Sequence, residues 1–133
     1  MLIEIPRGDY KQIYLNLAQT NDEPLDIKEN EDVILTIKKS YDTKAVLFQK
    51  SIYEGTIVKH VNEEGQISYV FDLLPEDTIN LRYGSYVGDL KLVKNTDTNP
   101  EPETLDLVKI KVTKEATNIS TDYDVRYEEK EEE

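Results

Sequence analysis

Apolar residues recur at every second position along most of this chain. Ile13, Leu15 and Leu17 alternate with Gln12, Tyr14 and Asn16, and Val33, Leu35 and Ile37 alternate with Ile34, Thr36 and Lys38. Farther on, Leu90 and Leu92 alternate with Lys91 and Val93. Leu105, Leu107, Lys109, Lys111 and Thr113 alternate with Asp106, Val108, Ile110 and Val112. A period of two is the mark of strands that bury one face. It predicts strands near residues 2–5, 10–18, 33–39, 45–52, 56–61, 66–73, 85–94 and 105–113. Between them lie turn formers: Thr20 to Pro24, Lys28 to Asp32, and Asn62-Glu63-Glu64-Gly65, where Gly65 can take the positive φ of a short hairpin loop. No stretch sustains a helical period. Pro75-Glu76-Asp77-Thr78 has proline where a helix begins and acids in its first turn, which predicts a single helical turn near 75–80. Seven or eight short strands without long helices predict an all-β, antiparallel sandwich, with a small closed barrel as the alternative.

Charge changes this picture in one place. The chain has 133 residues, with 28 acids against 16 bases and a net charge of −12. Half of that charge falls in residues 115–133, where eight acids face only Arg126 and Lys130. The sequence therefore divides into a sandwich domain over 1–114 and an acidic C-terminal arm over 115–133. The arm reads either as a solvated terminus or as a segment that orders against a neighbour. Ile119, Tyr123, Val125 and Tyr127 supply the second reading, because the last three alternate as on one face of a strand. An acid-rich chain lacks the clustered cations that nucleic acid or anionic lipid would require. No apolar run is long enough for a membrane span, and residues 1–6 do not resemble a signal peptide.

Candidate chemistry is sparse. Cysteine is absent and His60 is the only histidine, so thiolate chemistry and a multi-histidine metal site are excluded. His60 lies in an alternating polar strand and reads as a surface residue. Neighbouring carboxylates such as Asp22/Asp26, Glu29/Asp32 and Asp72/Asp77 are expected by chance in so acidic a chain, and no calcium-loop spacing is present. No catalytic residue, metal or cofactor is expected. Arg7-Gly8-Asp9 matches an integrin-binding tripeptide, but its place between two strands predicts a structural bend. The segment Asn95 to Thr104 is the longest loop, stiffened by Pro100 and Pro102. It reads as a solvated hairpin tip or as a contact finger using Asn95, Asp97, Asn99, Pro100 and Pro102. Nine tyrosines dominate the aromatic set, and Tyr14 falls opposite the Ile13/Leu15/Leu17 face. Outer tyrosines serve as cross-strand partners or as interface residues.

Leu81, Gly84, Ser85 and Tyr86 precede the strand that begins Gly88-Asp89-Leu90. This run resembles the corner before a late strand of immunoglobulin-like sandwiches, where a tyrosine hydroxyl ties the corner to the backbone. Tyr86 is the first candidate for that tyrosine and Tyr83 the second, with Gly84 at the corner. The wider layout is similar to small immunoglobulin-like domains of tailed-bacteriophage and prophage structural proteins, such as the N-terminal domain of upper baseplate proteins. It runs from Ile5-Pro6-Arg7-Gly8-Asp9 through Pro24-Leu25-Asp26-Ile27 and Val33-Ile34-Leu35-Thr36-Ile37-Lys38 to this corner, over roughly residues 3–113. The resemblance implies a non-enzymatic virion protein: an adaptor, fibre-attachment, baseplate or decoration component. It implies other virion proteins as partners, assembly into an oligomer or larger particle, and a place in the virion after assembly in the host cytoplasm. A carbohydrate- or cell-surface-binding module on the same sandwich is the alternative.

Overall fold

The computed structural model describes residues 1–15, 17, 25–115, 118–119 and 125–126. Ten strands and one helical turn follow in order: β1 Leu2–Pro6, β2 Lys11–Leu15, β3 Asp32–Lys38, β4 Phe48–Ser51, β5 Ile57–Val61, β6 Ile67–Leu73, α1 Pro75–Thr78, β7 Gly84–Lys94, β8 Glu101–Thr113, β9 Asn118–Ile119 and β10 Val125–Arg126. The first eight strands form two sheets, one ordered β1-β8-β7-β3-β4 and the other β2-β6-β5. This is an all-β sandwich, in which β2, β6 and β5 oppose a larger sheet built on β3, β7 and β8. Among the described residues, strands β9 and β10 pair with each other, Val125 opposite Ile119.

The alternation seen in the sequence becomes the core. Ile3, Ile5, Val33, Leu35, Ile37, Leu90, Leu92, Val108, Ile110 and Val112 point inward from the large sheet. Leu15, Ile57, Tyr69, Phe71 and Leu73 meet them from the small sheet. Gly88 lies among these inward positions of β7 opposite Ile37. A Cβ there would collide with the Thr36 carbonyl oxygen, so the two strand backbones require glycine.

Three features depart from the pattern read in the sequence. First, β1 pairs with β8 in parallel, from Leu2 opposite Lys109 to Pro6 opposite Thr113, so the sandwich is not wholly antiparallel. Second, the loop expected over 95–104 is shorter. Residues 101–104 belong to β8, and Pro102 stands opposite Val93. Proline fits there because, among the described residues, β1 pairs with β8 from Lys109 onward and the Met1 ammonium reaches back to the Leu107 carbonyl, which leaves 101–105 as a sheet edge. Third, the β7–β8 register shifts between Leu90 and Lys91, where Leu90 faces Asp106 and Lys91 faces Thr104. The extra residue is Leu105, a β-bulge. It switches the buried parity of β8: Leu105 packs against the core, Leu107 is exposed, and Val108 is buried.

The edge strand β4 is short and carries an inward charge. Lys50 is paired with Leu35 and shares its inward face. Its buried ammonium forms an ion pair with Asp77 of α1 at 2.7 Å. Short length and an inward charge both disfavour pairing with a foreign strand.

Candidate functional site

The sandwich has two unlike ends, and β8 runs from one to the other. At the corner end, β6 passes through α1 into β7. Pro75 starts the turn, and the Asp77 carboxylate accepts the Leu74 N–H at 2.8 Å while it holds Lys50. The Tyr86 hydroxyl donates to the Arg82 carbonyl at 2.7 Å, four residues upstream, which is the hydrogen bond of a tyrosine corner. Gly84 adopts a φ of 140° just before it. Tyr83 is used differently: its ring lies beneath the Arg7 guanidinium, 4.6 Å from the centroid.

Arg7-Gly8-Asp9 is built into the same end. Gly8 has a φ of 81°, and its N–H donates to Thr78 Oγ1 at 2.8 Å. Asp9 N–H donates to the Pro6 carbonyl. Arg7 donates from Nε and Nη2 to Glu115 Oε1 at 3.0 and 2.8 Å. The tripeptide is a turn whose arginine is engaged inside the fold. Glu115 is also where the acidic arm departs, so the arm is rooted at the corner end. Of the arm residues singled out in the sequence, Tyr123 and Tyr127 lie outside the described residues, and Val125 is in β10.

At the other end, the β7–β8 hairpin turns over residues 95–100. Asn95 takes a φ of 55°, the left-handed conformation that asparagine tolerates, and its side-chain amide donates to Glu101 at 2.9 Å. Thr96 N–H donates to the Asn30 carbonyl at 3.1 Å, which ties the hairpin to the segment before β3. Between them lies a cleft of about 730 Å³ bordered by Ile27, Glu31, Ile52, Tyr53, Tyr69 and Asp97. Tyr69 closes its floor, buried, with its hydroxyl accepting the Ile27 N–H at 2.8 Å. Tyr53 stands on the rim at 89% exposure, and its N–H is fixed by the Asp32 carboxylate at 3.0 Å. Lys59 donates to Asp26 at 2.7 Å beside the cleft. That hydrogen bond holds the Asp26 carboxyl below its usual range and raises Lys59.

Of the expected finger the structure therefore brings Asp97 to a cleft with an exposed aromatic rim, while Asn95 shapes the turn beside it. Asn99 and Pro100 complete the exposed tip, and Pro102 is in the strand behind it. The sequence signal for Tyr53 was a tyrosine in the turn Tyr53-Glu54-Gly55, where no buried face explains it. The other chemical candidates remain apart. Asp72 accepts from Tyr10 and Gln12, whereas Asp77 is committed to Lys50 and the α1 turn. His60 is exposed and packs edge-on with Tyr14, ring centroids 6.0 Å apart. Among the described residues no group of three histidines or carboxylates is placed to hold a metal ion. None of their helices is long and apolar enough to cross a membrane. No protein-family model matches the chain, and no curated protein matches it.

Proposed function

We propose that this chain is a non-enzymatic structural connector of a phage particle, working through protein–protein contacts at both ends of its sandwich. One observation carries the reading. The hairpin tip and the root of the acidic arm lie at opposite ends of β8, a 13-residue strand about 43 Å long. A rigid sheet thus separates two contact regions, which is the geometry of an adaptor. The tip offers Tyr53 beside a cleft, and aromatic residues of this kind anchor interfaces. The arm offers a block of negative charge suited to a basic patch on a neighbour. The placement in a phage particle comes from the resemblance of residues 3–113 to phage immunoglobulin-like domains.

The test is co-purification with the proteins encoded beside its gene. Tyr53→Ala with Asp97→Ala should abolish capture of one neighbour, and removal of residues 120–133 should abolish capture of a different one. If neither change affects any neighbour, or the wild-type chain captures none, the connector reading fails.

A further inference from the structure

We infer that the outer face of the β2-β6-β5 sheet is a binding site for a neutral sugar. The face is a groove of about 410 Å³ that includes Gln12, Tyr14, Val58, His60, Val70 and Asp72. Its floor is one cross-strand row: Tyr14 stands opposite Val70, and Val70 opposite Val58. Tyr14 is 53% exposed although it sits in the middle of a paired strand, so its ring is offered to solvent.

A hydrogen-bonded chain fixes that ring. The Tyr14 hydroxyl donates to Gln12 Oε1 at 3.3 Å, and Gln12 Nε2 donates to Asp72 Oδ1 at 3.3 Å. The Tyr10 hydroxyl donates to the same Asp72 oxygen at 2.9 Å. The Asp72 bond raises the Tyr10 pKa, as expected for a phenol held by a carboxylate. Four side chains, three on paired strands and Tyr10 just before β2, are thereby oriented before any ligand arrives. The second carboxylate oxygen of Asp72, Oδ2, accepts no hydrogen bond among the described residues. Gln12 keeps a second amide N–H beyond the one given to Asp72.

This arrangement matches a pyranose ring. Tyr14 and Gln12 are two residues apart on β2, so their side chains emerge about 7 Å apart, the scale of one sugar unit. The C–H face of the ring stacks on Tyr14. One hydroxyl donates to Asp72 Oδ2, and its neighbour accepts from Gln12 Nε2. Charge selects a neutral sugar. Lys50 and Lys59 border the groove but are paired with Asp77 and Asp26. Asp72 has no cationic partner among the described residues, and it repels an anionic sugar. The Tyr14, Gln12 and Asp72 array lies apart from Tyr53, Asp97 and the acidic arm, so it stands or falls independently of the connector reading.

The test is a two-dimensional NMR titration of the full chain with methyl α-D-glucopyranoside, methyl β-D-galactopyranoside, N-acetylglucosamine and lactose, each up to about 50 mM. At least one should shift the amide signals of Tyr14, Val70 and Asp72 saturably. For that sugar, Tyr14→Ala and Asp72→Asn should each weaken binding about tenfold or more. Tyr14→Phe should retain it, and Tyr53→Ala at the loop end should leave it unchanged. Tyr14 and Tyr53 are exposed and Asp72 is half-buried, and an otherwise unchanged spectrum shows that each variant is folded. The inference is overturned if no sugar shifts these residues. It is also overturned if folded Tyr14→Ala binds as well as wild type.

Discussion

The corner end and the loop end of this sandwich are both made of connections between strands, yet they are organised differently. At the corner end the connections around α1 and Arg7-Gly8-Asp9 are tied down: Tyr86 to Arg82, Gly8 to Thr78, Arg7 to Glu115, and Asp77 to both Lys50 and Leu74, while the β3–β4 connection over 39–47 stays exposed. At the loop end a backbone hydrogen bond from Thr96 to Asn30 and the surface pair Lys59–Asp26 frame a cleft with Tyr53 standing clear of it. The polar groups around α1 mostly hold the chain, whereas the loop end presents an exposed tyrosine beside a cleft. Substitutions at the corner should therefore lower stability, and substitutions at the loop end should lower binding.

The sharpest break of that contrast is Asp77→Ala. It removes the α1 turn's carboxylate and leaves the Lys50 ammonium buried without its partner, which should cost about 3 kcal/mol in urea unfolding. Pairing Lys50→Met with Asp77→Leu should recover most of that loss, because no buried charge then remains. Tyr86→Phe comes next, with an expected loss of about 1 kcal/mol for one corner hydrogen bond. Tyr53→Ala and Asp97→Ala should shift stability by less than about 0.5 kcal/mol, as exposed surface changes do, while partner capture is lost. The smallest effect is a pH dependence at the Asp26–Lys59 pair. The folded Asp26 pKa is depressed by the Lys59 hydrogen bond, so its contribution is present above the ordinary value of 3.8 and lost as pH falls through the folded value. Lys59→Met should move the Asp26 titration, followed by carboxyl NMR, back up toward 3.8, and salt should weaken the effect in wild type.

Much of the fold was legible because strands with one buried face print their period directly. The inward sets Val33/Leu35/Ile37 and Leu90/Leu92 are the alternating residues themselves. The single turn at Pro75 and the corner hydrogen bond of Tyr86 follow from local chemistry that neighbouring residues carry. Long-range choices were less legible. The parallel docking of β1 on β8 depends on a partner more than 100 residues away. The bulge at Leu105 cannot be read from alternation, since Leu105 and Leu107 look like one face until an extra residue separates them. Pro102 argued against a strand only because its position on an uncovered edge is a tertiary fact. Lys50 is the inverse case: a lysine in a strand reads as outward, and only Asp77 across the corner explains its inward side chain.

At the sites, loop composition pointed to Asn95 and Asp97, but the cleft needs Tyr53 and Ile27 from two other connections. The array of Tyr10, Gln12, Tyr14 and Asp72 was half visible. The outward parity of Tyr14 follows from its strand, whereas Asp72 joins it only through the register that sets Gln12 opposite Asp72.

The central claim is that two partners engage opposite ends of one rigid domain. Size-exclusion chromatography with light scattering, on the chain mixed with the proteins encoded beside its gene, measures this directly. The connector account predicts a ternary complex whose mass equals the chain plus two different neighbours bound at once. A chain that stays monomeric in every mixture, or two neighbours that displace each other from it, would contradict the account.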